Sequence, residues 1–332
     1  MRTLSRRAWL QYALASASLG TLGMTGGCEK REDSRIGAHT WIGYEPLFLA
    51  KQSHQLPTNM ALVSGQNAAD SMQGLLSGRL DGAALTLDEV IKVRADGIPL
   101  TVVLVFDISA GADQVIARPA ITTPAKLKGK RLAYEASALG ELMLSKLLAH
   151  AKLNPNDLDL ISLAPNEQLT AWRAQSIDAA ITYEPTASKL LSAGGQLIFD
   201  SRQLPETIMD VLAVRTDRMH AFADNLRDLI RVHFQMLDRL QTNPGDTLYQ
   251  IATRQNVSLA HVRAALSGVI LPSVTANIRL LQPQGKVIQV AQSLIELMQA
   301  QSMIDANIAP KTLTQDLVSA QWMPKVIRWG AA

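Results

Sequence analysis

Cysteine is almost absent from this chain of 332 residues. Cys28 is the single one, so no internal disulfide, cysteine-based zinc site or CxxC pair can form. Aromatic residues make up 5% and charged residues 18%, and the net charge is only +3. No dense Lys/Arg run follows the first few residues, which leaves nucleic-acid binding through a basic patch without a carrier. The serines show no Gly-x-Ser-x-Gly arrangement. The six histidines, His39, His54, His150, His220, His233 and His261, form no His-x-x-x-His pair. No glycine-rich turn leads into Gly-Lys-Ser/Thr, so a phosphate loop is missing too. The sequence therefore assigns no catalytic residue, cofactor or metal, although residues far apart in the chain can still assemble a site.

What is present begins with an address. Residues 1–27 read as an export signal: a basic start, then a soft apolar stretch from Tyr12 to Gly27 too short to span a membrane. Ser5-Arg6-Arg7 fits a twin-arginine signal, and the general export route also accommodates such a pair. Thr25-Gly26-Gly27-Cys28 fits a bacterial lipoprotein cleavage box, with threonine where leucine is commoner. A lone cysteine at that place reads as a lipid attachment point, and residues 28–34 as a charged tether. The expectation is an exported protein, periplasmic or on the cell surface, anchored to a membrane through lipid on Cys28.

From Ile36 the chain alternates short apolar runs with amphipathic stretches. With 47% apolar residues, it has the length and composition for about two domains. Strand-like runs at 36–41, 60–64, 80–86 and 100–107 alternate with helical ones, which is βαβ rhythm and implies an α/β fold with mostly parallel sheets. A strand at 115–119 leaves the first unit and the rhythm restarts. A run at 209–215 crosses back, and mainly helical text follows from about Asp217. The expected organisation is a first lobe of residues 35–116 plus 210–332, and a second lobe of 117–209.

Two strand ends carry the same tripeptide, Tyr44-Glu45-Pro46 and Tyr183-Glu184-Pro185, and a third, Tyr134-Glu135, carries its first two members. Each opens a helical run, and three of the five tyrosines are spent this way. Taken singly, each is a helix cap, because glutamate suits a helix N-terminus and proline its first position. Together they mark ligand contacts, since ligands in open α/β sheets sit beyond the carboxyl ends of the strands. Trp41 stands beside Tyr44, suited either to stacking on a ligand or to packing between lobes. Thr86-Leu87-Asp88-Glu89 fits a capping box that uses Thr86 and Glu89 and leaves Asp88 free. The turns Ser64-Gly65-Gln66-Asn67 and Ser137-Ala138-Leu139-Gly140 can cap their helices or hold an anion on exposed N–H groups. Glu45, Asp88, Asp107, Glu135, Glu184 and Asp210 all fall near strand ends and no lysine does. That balance points to a ligand with an amine or other cationic part, a zwitterion included.

Thr40-Trp41-Ile42-Gly43-Tyr44-Glu45-Pro46, Leu80 to Glu89, Lys128-Gly129-Lys130-Arg131 and Ile181 to Pro185 resemble the solute-binding proteins of nitrate/sulfonate/taurine-type ABC importers, here in lipoprotein form. That family also includes proteins for thiamine-pyrimidine precursors. The resemblance runs from about Ile36 to about Arg215. It implies a two-lobed periplasmic-binding-protein fold of type II with two crossover strands, closing by a hinge on its ligand. The implied contacts are Trp41, Gly43, Tyr44, Glu45, Ser64, Asn67, Thr86, Asp88, Glu135, Ser137, Leu139, Gly140, Tyr183, Glu184 and Asp210. The implied partners are a small organic solute and the importer's permease and ATPase, with the protein itself a monomer. Two other readings stay open. Pyrimidine synthases of the same fold consume their own histidine but carry a cysteine-rich motif that this chain lacks. A ligand-sensing partner of a membrane receptor would bind without supporting transport.

Overall fold

The computed structural model describes residues 33–324. The export signal, Cys28 and most of the expected tether lie outside the described residues; Ser34, the tether's expected end, already belongs to the first strand. From Asp33 onward the chain forms one compact body built on two sheets.

The first sheet grows from βα units. Strand β1 (Ser34–Ala38) leads through a short 3-10 turn into helix α1 (Glu45–Gln52), with Pro46 in its first turn. Strand β2 (Met60–Ser64) leads to α2 (Ala68–Leu76), and β3 (Gly82–Thr86) leads directly to α3 (Leu87–Ala95). Strand β4 (Leu100–Ser109) follows, buried along its whole length. Its sequence, LTVVLVFDIS, is the continuous β-branched and apolar run expected of a strand covered on both faces.

The second sheet begins with β5 (Gln114–Ala117). Then come β6 (Arg131–Tyr134), α4 (Ala138–Ala151), β7 (Asp159–Ser162), α5 (Pro165–Arg173), β8 (Ala179–Thr182), α6 (Thr186–Ser192) and β9 (Gln196–Asp200). Strand β10 (Met209–Arg215) returns to the first sheet. Helices α7 (Ala223–Thr242), α8 (Pro244–Gln255) and α9 (Leu259–Ser267) follow. The chain then runs through the short strand β11 (Val269–Ile270), α10 (Val274–Leu280), α11 (Lys286–Ala300) and α12 (Pro310–Thr314).

Strand order is β11-β4-β10-β3-β1-β2 in the first sheet and β7-β6-β8-β5-β9 in the second. The βα strands run parallel, whereas β10 pairs antiparallel with β3 and β4, and β5 antiparallel with β8 and β9. The two strands that join the sheets, β5 and β10, thus run against the βα strands, as does the short β11. Because β4 ends at Ser109 and β5 is hydrogen-bonded within the second sheet from Gln114, the chain passes from one sheet to the other at 110–113.

The crossing is stitched by serines. The Ser109 and Ser201 hydroxyls are 2.7 Å apart, Gly111 N–H donates to Ser201 Oγ at 2.7 Å, and Ser201 N–H donates to the Asp113 carbonyl at 2.9 Å. The late helices return to the first lobe, as α7 packs on α1 and α11 on α3.

Candidate functional site

The loop after β1 supplies the first side chains. Trp41 is buried and its indole Nε1 donates to Asp107 Oδ2 at 3.0 Å. Its ring meets Tyr183 of the second lobe edge-on, with centroids 5.6 Å apart. Gly43 is required by this arrangement: a Cβ there would lie 1.6 Å from Asp107 Oδ2. Tyr44 is fully buried and its hydroxyl donates to Asp210 Oδ1. His39, at the end of β1, packs against Tyr44 at 5.3 Å and Tyr183 at 6.4 Å. Burial lowers the His39 pKa to about 4, so its ring is neutral, and its Nδ1 has no hydrogen-bond partner. Trp41, Tyr44 and Tyr183 therefore come together, one lobe against the other.

Beside these rings lies a cluster of carboxyls. Asp107 on β4 and Asp210 on β10 are direct cross-strand partners, and Thr86 on β3 is the next neighbour of Asp210. Asp88 and Glu89 come from the first turn of α3 and Asp113 from the crossing. All five acids are 3% exposed or less. Desolvation disfavours the charged form of a carboxyl. Burial pushes Asp88 up to about 6, Asp113 to about 7 and Asp107 to about 8. Burial and then the neighbouring Asp88 push Glu89 up to about 8. Asp210 is raised well above the usual range, by burial first and then by Asp107.

The second lobe adds Glu135, raised by burial and held back by the hydroxyls of Ser137 and Tyr183. Among the described residues, no lysine or arginine forms an ion pair with any of these six acids. Asp88 Oδ2, Asp107 Oδ1 and Asp113 Oδ2 are buried without a hydrogen-bond partner, as is the Thr182 hydroxyl at the end of β8. Buried polar groups in folded proteins are nearly always satisfied, so several unpartnered ones at one seam point to a polar ligand.

Other expected contacts turn elsewhere. Glu45 is buried against α8, where it accepts from the Arg254 guanidinium and the Gln255 amide. Burial raises its pKa and Arg254 offsets that. Glu184 caps its own helix, accepting from Ser188 Oγ at 2.7 Å and Ser188 N–H at 3.2 Å. These two expected contacts, Glu45 and Glu184, are paired away from the carboxyl cluster.

The two small-residue turns act as caps. Asn67 Oδ1 accepts from Asp70 N–H at 3.3 Å, and Asp70 Oδ2 accepts from Gln66 N–H at 2.7 Å, while Ser64 is exposed. Ser137 Oγ accepts from Gly140 N–H at 3.1 Å. Gly140 itself is needed because a Cβ would lie 1.9 Å from the Glu135 carbonyl oxygen, and Leu139 packs on the core. At Thr86 the cap is carried by Glu89, which accepts from Thr86 N–H at 2.9 Å.

Two residues escaped the sequence reading. Glu89 was absorbed by the capping box, yet it also joins the cluster. Asp113 carried no motif, and its one signal was an acid placed directly before a crossover strand. Cavity size does not mark the site either. A groove of ≈ 540 Å³ runs between Met72 and Leu76 of α2 and Ser137 and Glu141 at α4, and none of the clustered carboxyls lines it.

Comparison with known proteins follows this geometry. Residues 58–246, more than half of the chain, match the family described as NMT1/THI5 like. The taurine-binding periplasmic protein of Escherichia coli K12 is 23% identical over 249 residues, covering 68% of this chain and 78% of that protein. The fold matches the alkanesulfonate-binding protein SsuA from Xanthomonas axonopodis pv. citri, solved bound to MOPS. The TM-score is 0.69 at 21% identity, over 82% of this chain and 94% of the other. It equally matches the nitrate-binding protein NrtA from Synechocystis PCC 6803, with a TM-score of 0.69 at 10% identity over 88% and 87%. These relatives are binding proteins, and the two-sheet α/β architecture is the periplasmic-binding-protein fold that the sequence implied. The chain belongs to the NMT1/THI5-like family.

Proposed function

We propose that this protein is the extracytoplasmic solute-binding component of an ABC importer, and that it captures a small amine-bearing organic solute, cationic or zwitterionic, at the seam between its lobes. Family membership supports the importer role. The observation that carries the solute class is the carboxyl cluster at Asp88, Asp107, Asp113 and Asp210, buried, facing aromatic rings from both lobes and matched by no basic side chain among the described residues. Capture works by closure. When the Tyr183 edge meets Trp41, water leaves the seam, and a charge–dipole contact gains strength in the lower dielectric. A closed form with the solute inside is then what the permease and ATPase read. On this reading the protein acts as a monomer, exported and held at the membrane through lipid on Cys28.

Native mass spectrometry of the protein purified from its own cells tests the reading. A retained amine, released on unfolding and bound again by the emptied protein, is the expected result. Trp41→Ala is expected to weaken rebinding by about tenfold, the loss of one well-packed aromatic contact. A retained bare anion, or undiminished rebinding by the Trp41 variant, overturns it.

A further inference from the structure

The taurine, alkanesulfonate and nitrate named for the relatives all carry or are anions, and the residues of this chain are arranged against one. Helix N-termini can hold an anion, and here several N–H groups at them are taken by the chain's own side chains. At α2 the N–H groups of Gln66 and Asp70 go to Asp70 and Asn67. At α3 the Thr86 N–H goes to Glu89, at α4 the Gly140 N–H goes to Ser137, and at α6 the Ser188 N–H goes to Glu184. The Arg254 guanidinium is engaged by Glu45 and lies over the Phe48 ring at 4.1 Å, and that of Arg202, beside Gly111 of the crossing, is engaged by Asp200. What the seam leaves unsatisfied is of the opposite kind: carboxyl oxygens of Asp88, Asp107 and Asp113. Independently of the acids, His39 Nδ1 and the Thr182 hydroxyl are also buried there without partners.

We infer that the seam selects an organic cation that lacks an anionic group, and that Asp113 is the carboxyl that makes this selection. The inference rests on the proposed solute-binding role and narrows it from amines in general to cations. Asp113 is placed for the task because its backbone belongs to the crossing. Its N–H donates to Ser109 Oγ at 3.3 Å and its carbonyl accepts from Ser201 N–H at 2.9 Å, so its position is tied to the end of β4 in the first sheet and to the turn after β9 in the second. Its side chain faces the fields of Asp88, Asp107 and Asp210 and of Tyr183. A cation at this point relieves all four acids together. A sulfonate or carboxylate on the same solute restores the repulsion, and among the described residues no lysine or arginine pairs with these acids to offset it. The aromatic rings of Trp41, Tyr44 and Tyr183 suit an ammonium head without further hydrogen bonds.

The test is a thermal-shift and calorimetric comparison at about pH 8.5, where carboxyls with pKa values of about 6 to 8 have ionised. The probes are ethylamine, ethanolamine and choline, set against taurine, β-alanine and ethanesulfonate, each up to tens of millimolar and at equal ionic strength. The cations are expected to raise the melting temperature, with taurine and β-alanine at least about tenfold weaker than ethanolamine. Ethanesulfonate is expected to do nothing. Asp113→Asn, checked for folding by circular dichroism, should reduce the cation response about tenfold and narrow the gap between ethanolamine and taurine.

Taurine or ethanesulfonate outperforming every cation overturns the selectivity, and so does silence from all three cations. If the anionic probes win and Trp41→Ala abolishes their binding, the seam remains the site and only the cation class falls. If cations win but bind Trp41→Ala and Asp113→Asn undiminished, the seam itself is the wrong place.

Discussion

Asp107 on β4 and Asp210 on β10 stand directly opposite one another in adjacent antiparallel strands, and each holds its own aromatic donor, Trp41 for Asp107 and Tyr44 for Asp210. Two buried carboxyls so close cannot both ionise without a counter-charge. The pair therefore keeps a proton in the unliganded protein, and a bound cation substitutes for it.

Asp210→Asn should mimic the protonated member of this pair. At about pH 4 its melting temperature should match the parent, and by about pH 7 it should be the more stable by roughly 1 kcal/mol or more. Thermal denaturation at the two pH values decides this. A variant less stable at both would show that the carboxylate form is needed structurally.

The unliganded protein should lose stability progressively between about pH 4 and 8. Asp107 and Glu89, raised to about 8, and Asp113, raised to about 7, bind protons in the folded state that the unfolded chain releases near pH 4. The stability they contribute is therefore complete below the unfolded values and is lost as pH rises through the folded ones. The carboxyls facing them, Asp88, Glu135 and Asp210, are raised as well and reinforce the trend, while Tyr44 and Tyr183, raised above 10, act only in strong alkali. His39 and His233 act oppositely, but only below about 6.5, because burial lowers them to about 4 and about 3. Melting curves across this window should fall by several degrees, and a flat profile would contradict the clustering of the acids.

Gly43→Ala should destabilise the fold by about 2 kcal/mol, since the new methyl would occupy the place of Asp107 Oδ2 and the surroundings cannot simply part. Urea denaturation measures it. A neutral outcome would mean that Asp107 moves freely, and that the bond from Trp41 does not hold it.

Arg254→Leu should cost about 2 kcal/mol by stranding the buried Glu45 carboxylate, a figure reduced because the arginine is itself partly exposed. Adding Glu45→Gln should recover part of the loss. Additive effects in the double-mutant cycle would show that the two side chains are not coupled.

His233→Leu should stabilise by about 1 kcal/mol, because both ring nitrogens are buried without partners between Phe106 and Phe234. The gain should grow as pH drops below about 6.5, where the unfolded chain protonates its histidine and the folded one, lowered to about 3, does not. Equal gains at all pH values would indicate a packing effect alone.

Much of the fold is visible in the residue pattern. Leu87 to Ala95 and Met209 to Arg215 stand out with their observed bounds, because a helix stripe or a β-branched run reports burial within a few neighbouring residues. Helix α8 (Pro244–Gln255) does not. Its stripe is interrupted by polar Thr247 and Gln255, which are buried in the fold. With α8 unseen, Arg254 could not be matched to Glu45, and the strand-end charges looked wholly uncompensated.

The sequence by itself determined the α/β rhythm, the two changes of lobe and the placing of tyrosines and acids at strand ends, since each depends on local period and on what a helix N-terminus accepts. Only the tertiary structure decided which acids meet. Glu45 turns to a residue 209 positions away and Glu184 to its own helix, whereas Asp113, without any motif, joins Asp88, Asp107 and Asp210. Pairing across such separations follows from how sheets and helices pack, and a local pattern carries no record of which distant surface will cover it.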